Sequence, residues 1–290
     1  MRRSYLRYIA SLLLFGTNGL LVSAIHLPSC EIVIFRTLLG SGVLFCLVAA
    51  LRPAMLTRRD ALLVIGSGAA MGASWIAQYE AFRLVGVGIS SLVYCLGPVC
   101  VMTLAPRLLG ERPGLAHWIG LTAVVLGVAL VNGEALGAGA SSAGVVCALI
   151  AAAAYAGMVL LIKRVKDTCG MRAPALQVLA ACAFSLAASL VFQIADVEQL
   201  TVPGVSDVAA LLMLGLVNGG ICCYWYFDSI SKLPAQSVVV CDYLEPLSAL
   251  CLSAAVLGES LGAWQVVGAA LVFLGAVGAE LVSRLPKQRG

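Results

Sequence analysis

Within the stretch VVVCDYLEP, Val238 to Pro246, two carboxylates stand three residues apart in a long apolar run. At that spacing Asp242 and Glu245 are neighbours on one face of a helix. Two kinds of chemistry suit acids in such a setting: Glu245, helped by Asp242, can bind and release a proton, or it can hold a cationic group of a ligand. A structural role is the alternative. Pro246 has no N–H and leaves the carbonyl of Asp242 without its helical donor, and a protonated glutamic acid can donate to that carbonyl as glue between helices. Deciding between them requires the elements that hold the acids in place.

Of the 290 residues, 61% are hydrophobic and 11% charged, against about 25% charged in a soluble domain. A bilayer solvates that much apolar surface and asks for apolar segments of about 20 residues. Ten segments fit, giving an all-α integral membrane class: Tyr8 to Ile25, Ile32 to Leu51, Ala61 to Glu80, Gly88 to Leu108, Leu115 to Val131, Ala143 to Ile162, Pro174 to Ile194, Val208 to Phe227, Gln236 to Leu257 and Ala263 to Val282. The loops between them are too short for a water-soluble catalytic domain. The basic start MRRSYLRY before an apolar run is read as an uncleaved first helix, not as a signal peptide.

Lys and Arg collect in cytoplasmic loops of membrane proteins. With the N-terminus inside, all 18 basic residues except Arg83 and Arg36 fall on the inner side. The pattern predicts both termini in the cytoplasm, with the plasma membrane, a bacterial inner membrane, as location. The formal charge of +4 therefore reads as topology and gives no ground for a nucleic-acid partner. Eleven cysteines without C-x-x-C and two histidines suggest neither a metal site nor a disulfide framework, and the cysteines are expected as small buried apolar residues. No cofactor is implied beyond the option of proton coupling.

Laid against itself, the chain repeats at a shift of 148 residues, the offset from Tyr94 to Asp242. YCLGP (Tyr94 to Pro98) falls on DYLEP (Asp242 to Pro246), LLGERPG (Leu108 to Gly114) on VLGESLG (Val256 to Gly262), and Gly72, Gly120 and Gly127 on Gly220, Gly268 and Gly275. Ten helices thus form two five-helix repeats, residues 1–131 and 143–290, joined by an external linker, 132–142. Five is odd, so the repeats are inverted, an arrangement in which two halves rock about a site near the midplane.

These residues resemble the EamA family of the drug/metabolite transporter superfamily. The resemblance rests on a proline in the fourth and ninth helices, LGE closing each of them (Leu109 to Glu111, Leu257 to Glu259), FGTNG (Phe15 to Gly19), and Phe35 with Arg36 in the second helix. It implies gradient-driven transport, more commonly export, through a cavity walled by helices three, four, eight and nine among others. It leaves the solute open, because the family moves amino acids, nucleosides, amines, sugars and other solutes.

At about 1.5 Å per residue, Glu245 lies roughly 13 to 14 Å deep, near the middle of the hydrocarbon core. Its repeat partner is Gly97 and that of Asp242 is Tyr94, so the shared fold does not demand the acids. Pro98 and Pro246 are expected to kink the fourth and ninth helices and to bring freed backbone to the same depth. Asn18, Tyr94, Tyr155 and Asn218 lie at similar depth; the asparagines can orient a solute or join helices. Trp75, Gln78 and Tyr79 are expected as an aromatic wall and outer gate, or as an interface belt, and Tyr224 to Asp228 as a belt. Arg36 is expected to snorkel, to pair with Glu31 or Glu80, or to meet a substrate carboxylate. Gly68 with Gly72, and Gly215 with Gly219, have the spacing of close helix packing.

The function expected is secondary active transport of a small polar organic metabolite, an amino acid or amine-like solute, by alternating access. A uniporter or exchanger of the same fold is the nearest alternative, and a channel or receptor-like sensor the one from another class. An enzyme is not expected, since there is no H-E-x-x-H and no serine or cysteine dyad. Partners are the solute and the lipid bilayer. One chain already completes the inverted pair, and a dimer is left open.

Overall fold

The computed structural model describes residues 2–51, 56–94, 96–110, 113–131, 141–165, 172–194, 203–257 and 263–284. Among these the regular elements are all helical. In chain order they are α1 (Arg2–Phe15), α2 (Asn18–Ser23), α3 (Ser29–Leu51), α4 (Arg58–Tyr94), α5 (Leu96–Leu108), α6 (Leu115–Val131), α7 (Ser142–Ile162), α8 (Arg172–Ile194), α9 (Val205–Leu212), a π-helical segment (Met213–Cys222), α10 (Cys223–Ile230), α11 (Ala235–Asp242), α12 (Leu244–Leu257) and α13 (Ala263–Arg284). Residues 132–140 of the expected linker, and Glu111 and Glu259 of the two LGE motifs, lie outside the described residues.

Six stretches are long and apolar enough to cross a bilayer: Arg3–Ser23, Ser29–Ala50, Arg58–Gly86, Ser142–Ile162, Arg172–Ile194 and Val205–Ile230. They match the expected first, second, third, sixth, seventh and eighth spans. Of the remaining four, α5 and α6 are shorter, the ninth is interrupted between α11 and α12, and α13 is continuous over Ala263–Arg284. The all-helical membrane class holds, with six clear apolar spans and further shorter apolar helices among the described residues. In the third and fourth spans, no proline stops the helix after Glu80, so α4 continues to Tyr94 and turns at Gly86, whose φ of 76° suits glycine alone.

The ninth span breaks where a kink was expected. α11 ends at Asp242, Tyr243 forms a turn, and α12 starts at Leu244. Pro246 is therefore the third residue of a new helix, where a missing N–H costs no intrahelical bond. Pro98 is the third described residue of α5; Cys95, just before α5, lies outside the described residues. At Pro246 the proline belongs to a restart of the helix, not to a bend within it.

Packing follows the small residues. α4 lies along α7 and α8, α3 along α8 and the π segment, and α1 against α10 and α12. A Cβ on Gly68 would stand 2.2 Å from the Gln177 carbonyl oxygen, and one on Gly72 2.9 Å from that of Ala181. Both glycines thus serve close packing on α8. α6 and α13 form a separate seam. There a Cβ on Gly127 would be 2.6 Å from the Gly268 oxygen, and one on Gly275 2.8 Å from the Gly120 oxygen. The repeat shift of 148 turns the first contact into the second.

Candidate functional site

Three interrupted helices meet at one level of the bundle. The first break, Gly16 and Thr17, separates α1 from α2 in the run FGTNG. Glycine, threonine and asparagine favour such a break because they gain little from continued helix and offer the backbone local alternatives. Thr17 Oγ1 donates to the Leu14 carbonyl at 2.7 Å. A Cβ on Gly16 would fall 1.8 Å from Ser248 Oγ, so α12 rests directly on this break. The second break is Tyr243, and the third deformation is the π segment, a feature frequent at functional sites.

Asn218, fully buried in the π segment, donates from its amide to Asn18 Oδ1 at 2.8 Å and Thr17 Oγ1 at 3.0 Å. Asn18 presents its amide toward the carboxylate of Glu245, and both line the same cavity. Asn218 thus ties the π segment to the first break by hydrogen bonds, beside the acid of α12. Asp242, one residue before the second break, faces elsewhere: its oxygens accept from the hydroxyls of Tyr8 on α1, Tyr155 on α7 and Tyr226 on α10, the last at 3.3 and 3.5 Å. The two acids therefore have separate partners, because the turn at Tyr243 interrupts the common helical face expected of them.

A cavity of about 150 Å³, room for a small organic solute, joins these groups. Of the residues singled out from sequence, Glu245, Asp242, Tyr94, Asn18, Tyr155, Trp75, Gln78, Tyr79 and Pro98 line it. Asn218 stands one hydrogen bond behind the wall. The backbone of Pro246 lies in the first turn of α12, and its side chain is outside the described residues. Tyr94 and Tyr155 pack ring against ring at 5.4 Å.

Two readings from sequence need correction. Tyr224 to Asp228 is no simple interface belt, since Tyr226 and Phe227 are buried and line the cavity, and Tyr226 stacks with Tyr8 and meets Phe15 edge-on. Arg36 neither snorkels nor pairs with Glu31 or Glu80. It is 1% exposed, lines the cavity, donates to the Tyr79 hydroxyl and lies over the Trp75 ring at 3.9 Å. Depth in the span was visible from sequence, but its neighbours come from α4, which only the fold supplies. The cysteines also divide: Cys30, Cys182, Cys222, Cys223 and Cys241 are buried, whereas Cys46, Cys100 and Cys251 are exposed on the bundle surface.

Comparison with known proteins settles the relationship. The profile of the EamA-like transporter family matches twice, over residues 3–133 and 142–280. The chain belongs to the EamA-like transporter family. Among its EamA relatives, the "Uncharacterized transporter YxxF" of Bacillus subtilis (strain 168) is 24% identical over 276 residues, covering 93% of this chain and 87% of that protein. The "Uncharacterized transporter YwfM" of the same organism is 25% identical over 257 residues, covering 88% and 84%. One solved crystal structure superposes with a TM-score of 0.81 at 22% identity, over 96% of this chain and 98% of the other, and speaks to the fold alone. EamA membership with several apolar spans makes this a multi-pass membrane protein of a transporter family.

Proposed function

We propose that this EamA chain is a secondary active transporter that carries a small amine-bearing polar metabolite by alternating access, with export as its direction. Glu245 holds the protonated amine of the solute, or in its absence a proton, and Asn18 and Asn218 keep the carboxylate in place. Residues 1–131 and 143–290 act as inverted five-helix repeats, joined by an external segment at 132–142. Both termini lie in the cytoplasm of a cell whose inner membrane the chain crosses ten times.

One observation carries the reading: Glu245 sits at the meeting of three interrupted helices, in a cavity walled from both halves, with the neutral amide of Asn18 presented toward it. An ionised acid at such depth is costly unless a cation or proton joins it. The swapped glycine contacts between α6 and α13 support two halves that are related and can move as units.

Purified protein in proteoliposomes, loaded with a pH-sensitive dye and offered a panel of amino acids and amines, tests this. Wild type should move at least one panel member together with protons, and Glu245→Gln should slow that flux tenfold or more. A variant that moves solute and protons as wild type does removes Glu245 from the mechanism. Solute flux in wild type without proton movement makes the protein a uniporter or exchanger instead.

A further inference from the structure

Arg36 is the charged group in the cavity that the reading above leaves unused. No carboxylate among the described residues lies within ion-pair distance of it. Tyr79 and Cys223 take part of its hydrogen-bonding capacity, while its Nε has no partner. A guanidinium has five N–H donors in a planar fork, and a buried donor left unmet is unfavourable by a margin that a ligand can recover. The Trp75 ring at 3.9 Å and the Phe15 ring at 5.7 Å hold the plane of the fork without supplying any acceptor along its edge.

On the same wall Gln78, 8% exposed, presents an Oε1 that also lacks a partner. The cavity therefore offers one unmet donor and one unmet acceptor, besides an acid, Glu245, that has no ion pair of its own. Asp242 is not part of this set, because three tyrosine hydroxyls occupy its oxygens. We propose that Arg36 is a carboxylate-binding subsite, so that the solute is a small zwitterion whose carboxylate meets the Arg36 fork while its ammonium meets Glu245 and Gln78. The inference rests on the transporter reading for its solute and adds a residue that selects among amines. A bidentate carboxylate fits the fork, and a plain amine leaves it empty.

Binding is the readout, measured calorimetrically on the purified protein in nanodiscs without any gradient. The probes are L-leucine and L-phenylalanine, the matched amines isoamylamine and phenethylamine, and the matched acids 4-methylpentanoate and 3-phenylpropanoate. Wild type should bind at least one zwitterion tenfold or more tighter than its amine. Arg36→Gln should erase that ratio and leave amine affinity within about twofold, whereas Arg36→Lys, which keeps the charge and loses the fork, should retain part of it. Should Arg36→Gln fail to fold, Glu245→Gln gives the reciprocal check: weaker zwitterion and amine binding, unchanged acid binding. Equal affinity of wild type for zwitterion and amine, or no binding of any probe, overturns the proposal, as does a ratio that survives Arg36→Gln. A protein that binds zwitterions yet moves none in vesicles refutes transport and leaves the subsite standing.

Discussion

At the scale of single residues, the Asp242 cluster makes a quantitative claim. Three hydroxyls from three helices converge on one carboxyl group, and a hydrogen bond contributes about 0.5 to 1.5 kcal/mol net. Tyr155→Phe should therefore lower stability by about that amount, and a double-mutant cycle with Asp242→Asn should show coupling of similar size in thermal unfolding. Coupling near zero would mean that the hydroxyl and the acid do not act on each other. Sequence placed Glu245, Asn18, Tyr94, Tyr155 and Asn218 at similar depth, since depth needs only the rise per residue. It missed Tyr8 and Tyr226. Aromatics near a helix end look alike whether they face lipid headgroups or a neighbouring helix, and only packing distinguishes them. Arg36 was legible as a charge inside a span and illegible as a cavity residue for the same reason.

At the scale of elements, proline marked the interruption of the ninth span correctly and misled about its form. In a kinked helix, replacing the proline by alanine restores an intrahelical bond worth up to about 3 kcal/mol. Here Pro246 sits in the first turn of α12, so Pro246→Ala should change stability by less than about 1 kcal/mol; a large gain in melting temperature would restore the kink description. Gly86 offers the opposite case. A Cβ there meets nothing within 4 Å, yet φ is 76°, so Gly86→Ala should cost about 1 to 2 kcal/mol through backbone strain alone. Gly86→Asn should cost as much, because at ψ 165° the residue lies outside the left-handed helical region that asparagine tolerates. The non-helical Gly86 falls between the expected third and fourth spans, so the boundary read from hydropathy stands, while the form of the join, one glycine between two helical stretches, was not readable from polarity.

For the whole molecule, the repeat was the most legible feature, because a gapless match at one shift does not depend on knowing any contact. What the repeat does not carry is the deformation. The π segment at Met213–Cys222 maps onto residues 65–74, where α4 is helical. The site thus arises where the halves differ. At the α6–α13 seam they agree, so Gly127→Ala and Gly275→Ala should each force the helices apart and lower stability by a similar amount, about 1 to 3 kcal/mol. Strongly unequal losses would show that the seam is symmetric in contact alone.

That seam has the form of an isologous interface, the kind two identical subunits make across a twofold axis. Residues 120 and 275 have the same sum as residues 127 and 268, which places the helices antiparallel with each glycine meeting the other's counterpart. A surface that is its own complement does not record which chain it came from. Residues 1–131 therefore carry on α6 a glycine face whose repeat-related twin, on α13, is the surface it packs against.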